Sequence, residues 1–248
     1  MSDPRSDTEA LRARPGDRRM KAILVVAGTA AFVVAPFLTA GFGGFDPDLF
    51  PIPQQRPPVQ PAGYAFGIWG LIYVWLVVHA VTGLFARAED AGWDRTRWPL
   101  ILSLAVGASW IAVANTSAPW ATLLIWVMLA GALGARLLAP RADRWLAAVP
   151  LGIYAGWLTA AAWVAIGFML GGYGFMSETA AALVALPAAV AMAVLIQHRL
   201  GRAPEYGLTV IWALAAVIVA NLPGAPLLAG LAGLGVLIVA ALLLRQLR

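Results

Sequence analysis

Apolar residues in this chain come in runs of about twenty, the length that crosses a hydrocarbon core, separated by short breaks rich in proline, glycine and charge. Eight such runs can be traced, over residues 21–41, 61–86, 98–115, 119–138, 145–170, 178–198, 206–221 and 224–246. The breaks carry helix-stopping residues: Pro57 and Pro58, Asn115 to Pro119, Pro140, Gly171-Gly172, and the stretch from Asn221 to Pro226. Runs this long satisfy their backbone inside a membrane only as helices or closed barrels. The pattern therefore predicts an all-α, polytopic transmembrane bundle of about eight spans.

Composition agrees. Of 248 residues, 61% are hydrophobic and 12% charged, against roughly a quarter charged in a soluble domain. The placement of the 17 basic residues then orients the chain. Arg5, Arg12, Arg14, Arg18, Arg19 and Lys21 precede the first span, and Arg245 and Arg248 end the chain. Arg87, Arg95, Arg97, Arg136, Arg141, Arg144, Arg199 and Arg202 fall in alternate connections, and Arg56 alone lies on the other side. This positive-inside distribution places both termini in the cytoplasm. It assigns the net charge of +5 to anionic headgroups rather than to nucleic acid. Residues 1–20 read as a disordered cytoplasmic tail and the first span as an uncleaved anchor, with cleavage after Thr39-Ala40-Gly41 as the alternative.

The eleven tryptophans divide by depth. Trp93, Trp98, Trp120 and Trp145 sit at span ends and fit an interfacial belt. Trp69, Trp110, Trp126 and Trp163 fall roughly 7–12 Å below the outer surface on four different spans. Tyr73 and Trp157 lie one to two turns deeper. Such a layer suits a pocket for a planar or sterol-like ligand, bound by ring area with few polar anchors. Plain helix–helix packing of the same rings is the competing reading.

The block Pro61-Ala-Gly-Tyr-Ala-Phe-Gly-Ile-Trp-Gly-Leu-Ile-Tyr73 resembles the second transmembrane helix of the TspO/MBR family, the tryptophan-rich sensory or translocator proteins. The likeness is to longer, eight-helix bacterial variants. Span five is similar too, with Pro150, Tyr154 and Trp157 on one helical stripe. It departs where the family usually has asparagine, eight residues after that tryptophan, and here stands Ala165. The stretch Asn115-Thr-Ser-Ala-Pro-Trp120 is a looser match. The resemblance implies a TspO-like five-helix unit over residues 21–170, with three additional helices over 171–248. It further implies a multi-pass protein of the bacterial inner membrane that senses or carries a tetrapyrrole or sterol-like molecule. A porphyrin or haem is then a ligand rather than an obligatory cofactor. The candidate ligand-binding residues are Pro61, Trp69, Tyr73, Trp110, Trp126, Tyr154, Trp157 and Trp163.

Catalytic chemistry finds little support. No Asp, Glu, Lys or Arg lies in the middle of a span, and cysteine is absent, so paired carboxylates, a Schiff-base lysine and a thiolate site are missing. His79 is the one titratable group predicted within a span. It is a candidate haem or proton contact, or simply a ring bonded to a neighbouring carbonyl. A lipid- or tetrapyrrole-processing enzyme and a small-molecule permease are the alternatives, the latter without coupling residues. The outer connection over residues 42–60 carries Pro47, Pro51, Pro53, Pro57 and Pro58. It reads as a stiff lid or as a connector. A homodimer is compatible with the chain.

Overall fold

The computed structural model describes residues 16–39 and 43–247. It contains eight long helices: α1 (Asp17–Leu38), α2 (Ile68–Phe85), α3 (Ala91–Ala114), α4 (Ala118–Leu138), α5 (Val149–Gly172), α6 (Glu178–Leu200), α7 (Pro204–Asn221) and α8 (Pro226–Leu247). All eight are long and apolar enough to span a membrane, α2 and α5 together with the short turns that lead into them. No strand occurs among the described residues. The chain is thus a multi-pass helical membrane protein. Residues 17–20, expected in the tail, form the first turn of α1; residues 1–15 and most of the 39–41 stretch lie outside the described residues.

The hub is α5. It packs against α2, α4, α6 and α7, and 61% of its apolar window is enclosed, against 28% for α1 and α2. Around it, α1 lies on α2 and α3, α3 lies on α4, and α8 lies on α6 and α7.

Two helices start furthest from the sequence expectation: α2 begins seven residues into its predicted span, after a 3-10 turn over Gly63–Gly67, and α3 begins seven residues before its own. Asp90 caps this helix, its carboxylate accepting from the backbone N–H groups of Gly92 and Trp93 at 2.8 and 2.9 Å. The first turns are polar, and hydropathy passes over them. Their charges are paired: Lys21 reaches Asp94 at 2.7 Å, and Arg97 reaches Asp94 at 3.2 Å.

Polar bonds also close the rest of the inner end, as the basic charges define it. Buried Arg97 donates to the carbonyls of Arg18, Ala88, Arg87 and Gly83 at 2.6, 2.8, 2.8 and 3.4 Å. Three of these groups lie at or beyond the end of α2, where carbonyls lack helical partners. Asp143, just before α5, accepts from Arg87 Nε at 2.8 Å and from Trp93 Nε1 at 2.9 Å. These bonds, first Arg87 and then Trp93, hold its carboxyl below the usual carboxylate range.

Trp93 therefore does not join the interfacial belt. It is 2% exposed, whereas Trp98, Trp120 and Trp145 are 59–64% exposed. Its ring stacks on His79 at 4.8 Å. The indole N–H has a carboxylate to bond, which removes the reason for it to seek the interface.

Candidate functional site

The eight candidate residues separate into two places. Trp69 and Tyr73, one helical turn apart on α2, stack at 5.4 Å with 23° between planes. Phe32 of α1 meets both edge-on, at 5.8 and 5.4 Å. Tyr154 of α5 closes the group, 5.6 Å from Phe32. Its hydroxyl lies 2.9 Å from the Ser103 hydroxyl, which donates to the Met128 carbonyl at 2.7 Å. Phe32 fits because residue 107 of α3 is glycine: a Cβ there would lie 2.7 Å from the phenylalanine ring. This cluster is packed, ring against ring.

The open space lies on the other side of α5. A cavity between α5, α6 and α7 is walled by Pro61, Trp110, Trp157, Trp163 and Phe168. Trp69, Tyr73, Tyr154 and Trp126 are not in its wall. Trp126 supports it from behind, edge-on to Trp163 at 5.5 Å, and Trp69 touches Trp157 edge-on at 6.2 Å. Room comes from small residues facing the rings: Ala161 and Ala165 on α5, Ala185 and Ala189 on α6, Ala213 on α7. Ala165, where the resembled family usually has an amide, contributes a methyl to this wall. The space is narrow. Its volume is about 80 Å³, room for several waters but below the roughly 300–1,000 Å³ of ligand clefts.

Its outer wall is the proline-rich connection. Phe45 and Val59 line the cavity, and Phe50 stacks on Phe168 at 5.7 Å. Two glycines on α5 allow the close seating. A Cβ at Gly167 would come within 2.9 Å of Val59, and one at Gly172 would run into the Phe50 ring. The Ile52 N–H donates to the Gly172 carbonyl at 2.9 Å, and the Ala62 N–H to the Ala216 carbonyl at 3.1 Å. Asn221 donates to the Pro58 carbonyl at 2.8 Å. The segment is seated on α5 and α7 as a cover. Nothing in its spacing of prolines announced the aromatic and glycine contacts that seat it.

Polar groups at the cavity are few. Gln60 and Thr159 are the only lining residues besides the tryptophans with a polar side-chain atom. The Thr159 hydroxyl is engaged by the Ala155 carbonyl at 2.9 Å and the Tyr206 hydroxyl at 3.0 Å. Trp110 Nε1 donates to the Ala121 carbonyl at 2.8 Å, and Trp163 Nε1 to Met192 Sδ at 3.2 Å. Trp157 is 3% exposed and its Nε1 has no protein partner. An indole N–H buried without a partner costs free energy.

His79 lies outside the cavity wall. Its Nδ1 is 2.8 Å from the Leu146 carbonyl, and as a carbonyl can only accept, Nδ1 carries the proton. The ring pins the turn leading into α5, as Trp75 does by donating to the Trp145 carbonyl at 2.9 Å. Among the described residues no group of three or more His, Asp or Glu side chains could hold a metal ion.

Comparison with known proteins yields one family. The family described as TSPO-like protein matches residues 22–245. That match runs beyond residue 170 and through all eight helices. No curated protein and no solved structure matches. The chain belongs to the TSPO-like protein family.

Proposed function

We propose that this membrane protein is a receptor or carrier for a flat hydrophobic molecule, tetrapyrrole- or sterol-like, held in the cavity between α5, α6 and α7. The observation that carries the reading is the apolar space walled by Trp110, Trp157, Trp163 and Phe168, together with a Trp157 indole N–H that has no protein partner. A ligand bearing one acceptor, a carbonyl or carboxylate, would satisfy that donor while its faces stack on Trp110, Trp163 and Phe168. Family membership supports a binding or sensing role over catalysis. The narrowness of the cavity adds a condition: a ring system enters only if the cover over residues 43–60 lifts or α6 and α7 part from α5.

The fit to a porphyrin is by faces and edge. No lining residue offers an imidazole, thiol or thioether, so haem and its metal-free porphyrin should bind with similar affinity. The test is tryptophan quenching of the detergent-purified protein by haem, metal-free protoporphyrin and a sterol, in wild type and in Ala189→Phe, which fills the cavity from α6. Saturable quenching that falls at least about fivefold in affinity in the filled variant supports the reading, because overpacking typically costs about 1–3 kcal/mol. Equal affinity in both proteins would remove the cavity as the site. A large preference for haem over its metal-free form would point to an iron ligand that the cavity does not supply.

A further inference from the structure

We propose that a second site, the groove between α2 and α7, holds one anionic glycerophospholipid of the inner leaflet, with its phosphate at Arg144 and an acyl chain along the groove. The groove is an open one of about 630 Å³ and shares no lining residue with the cavity. Its floor is Val149 and Ile153 of α5, and Leu71 and Leu208 form its walls. At the outer end it is shut: Trp212 Nε1 donates to the Ala65 carbonyl at 3.1 Å, and Tyr64 meets the Trp212 ring edge-on at 5.5 Å. At the inner end it opens beside Arg144 and Glu205. From Glu205 to Trp212 the slot runs about 10 Å along the helix, matched to a segment of acyl chain and not to a headgroup.

Charge at the mouth is unbalanced. Glu205, 7% exposed, is one carboxylate between two guanidinium groups. Arg136 takes Oε1 with Nη2 at 2.7 Å and Nε at 3.2 Å. Arg144 reaches Oε2 through one nitrogen at 3.4 Å and stays 44% exposed. Two cations against one anion leave the half-exposed Arg144 able to meet a further anion at the mouth. Arg144 also lies over the Trp145 ring at 5.5 Å, and that ring stacks on Trp75 at 6.4 Å and 6°. The stack holds the guanidinium at the groove mouth, with donors to spare for phosphate oxygens. A phosphatidylglycerol supplies the missing negative charge and the missing apolar filling together. A choline headgroup would bring a second cation beside Arg144.

The experiment is native mass spectrometry of the full-length protein equilibrated with equal amounts of phosphatidylglycerol and phosphatidylcholine. Wild type should retain phosphatidylglycerol over phosphatidylcholine by about fivefold, the worth of one cation at an anionic headgroup. Arg144→Gln should bring that ratio close to one while Arg136 keeps Glu205 paired. Leu208→Trp, which fills the slot without touching a charge, should lower retention of both lipids. Leu237→Trp, on an exposed face of α8, should change neither. Equal retention of the two lipids by wild type, a phosphatidylglycerol excess that survives Arg144→Gln, or unchanged retention in Leu208→Trp overturns the proposal. Full displacement of the lipid by excess inorganic phosphate would overturn it as well, by showing a site for a free anion.

Discussion

Two aromatic groups sit back to back across α5, and only one of them leaves space. Phe32, Trp69, Tyr73 and Tyr154 fill their own volume, with a phenylalanine from α1 wedged against three partners. Trp110, Trp157, Trp163 and Phe168 face alanines of α6 and α7 across a cavity. The chemistry of the rings is the same in both. What differs is the size of the residue opposite. Packing turns aromatic residues into a core; a facing run of small residues turns them into a wall.

The comparison breaks most severely at Phe32. Phe32→Ala removes the ring that three others contact, and Phe→Ala in a packed core costs about 3–5 kcal/mol. Thermal unfolding in detergent should show a large loss of stability. Affinity for a cavity ligand, measured below the new transition, should change little, because Phe32 lies outside that wall. A mild stability loss with abolished binding would reverse the assignment of the two groups.

The helices were legible in the sequence because a span must be long and apolar, and Arg56 opposite all the other basic residues fixed the alternation. The start of α3 was not, since Asp94 and Arg97 are charged yet paired, and a hydropathy window sees charge without seeing its partner. The candidate site was half legible. Pro61, Trp110, Trp157 and Trp163 line the cavity, whereas Trp69, Tyr73 and Tyr154 form the packed cluster. Ring depth along each helix gave both sets the same signature, and facing is decided by helices with few aromatic marks. Ala185, Ala189 and Ala213 make the space and look like any alanine in a span. Trp93 and Trp98 make the same point on α3: near neighbours in sequence, one is bonded to Asp143 and buried, the other outward-facing.

A finer contrast comes from paired substitutions at Trp157 and Trp69. Trp157→Phe keeps a ring and removes one N–H donor. A neutral hydrogen bond contributes about 0.5–1.5 kcal/mol, so ligand affinity should fall roughly two- to tenfold. Stability without ligand should hold or rise, since a buried unpaired donor is removed. Trp69→Phe should do the opposite, lowering stability through lost stacking on Tyr73 while leaving affinity within about twofold. Equal affinity losses at the two positions would merge the two groups into one site.

The smallest effect separates the two groups by acid. Asp143 ties Arg87, just beyond α2, to the turn entering α5, on the side of the packed cluster. Its carboxyl is held low by Arg87 and then Trp93. A group whose folded value lies below its unfolded one contributes stability that is fully present above the unfolded value, about 3.9 for an aspartate. That contribution is lost as pH falls through the lower folded value. Between pH 7 and about 5 the transition temperature of wild type should therefore stay above that of Asp143→Asn by a constant margin of a few degrees at most, given that such a half-wet pair is weakened by solvent. Below about pH 4 the margin should close, because protonated Asp143 no longer pairs with Arg87. For a ligand whose acceptor is a carbonyl, cavity affinity should follow neither the substitution nor the acid, as no lining side chain titrates in that range. A margin that persists unchanged well below pH 4 would mean that the Arg87–Asp143 contact contributes through shape, and that charge does not hold the inner end.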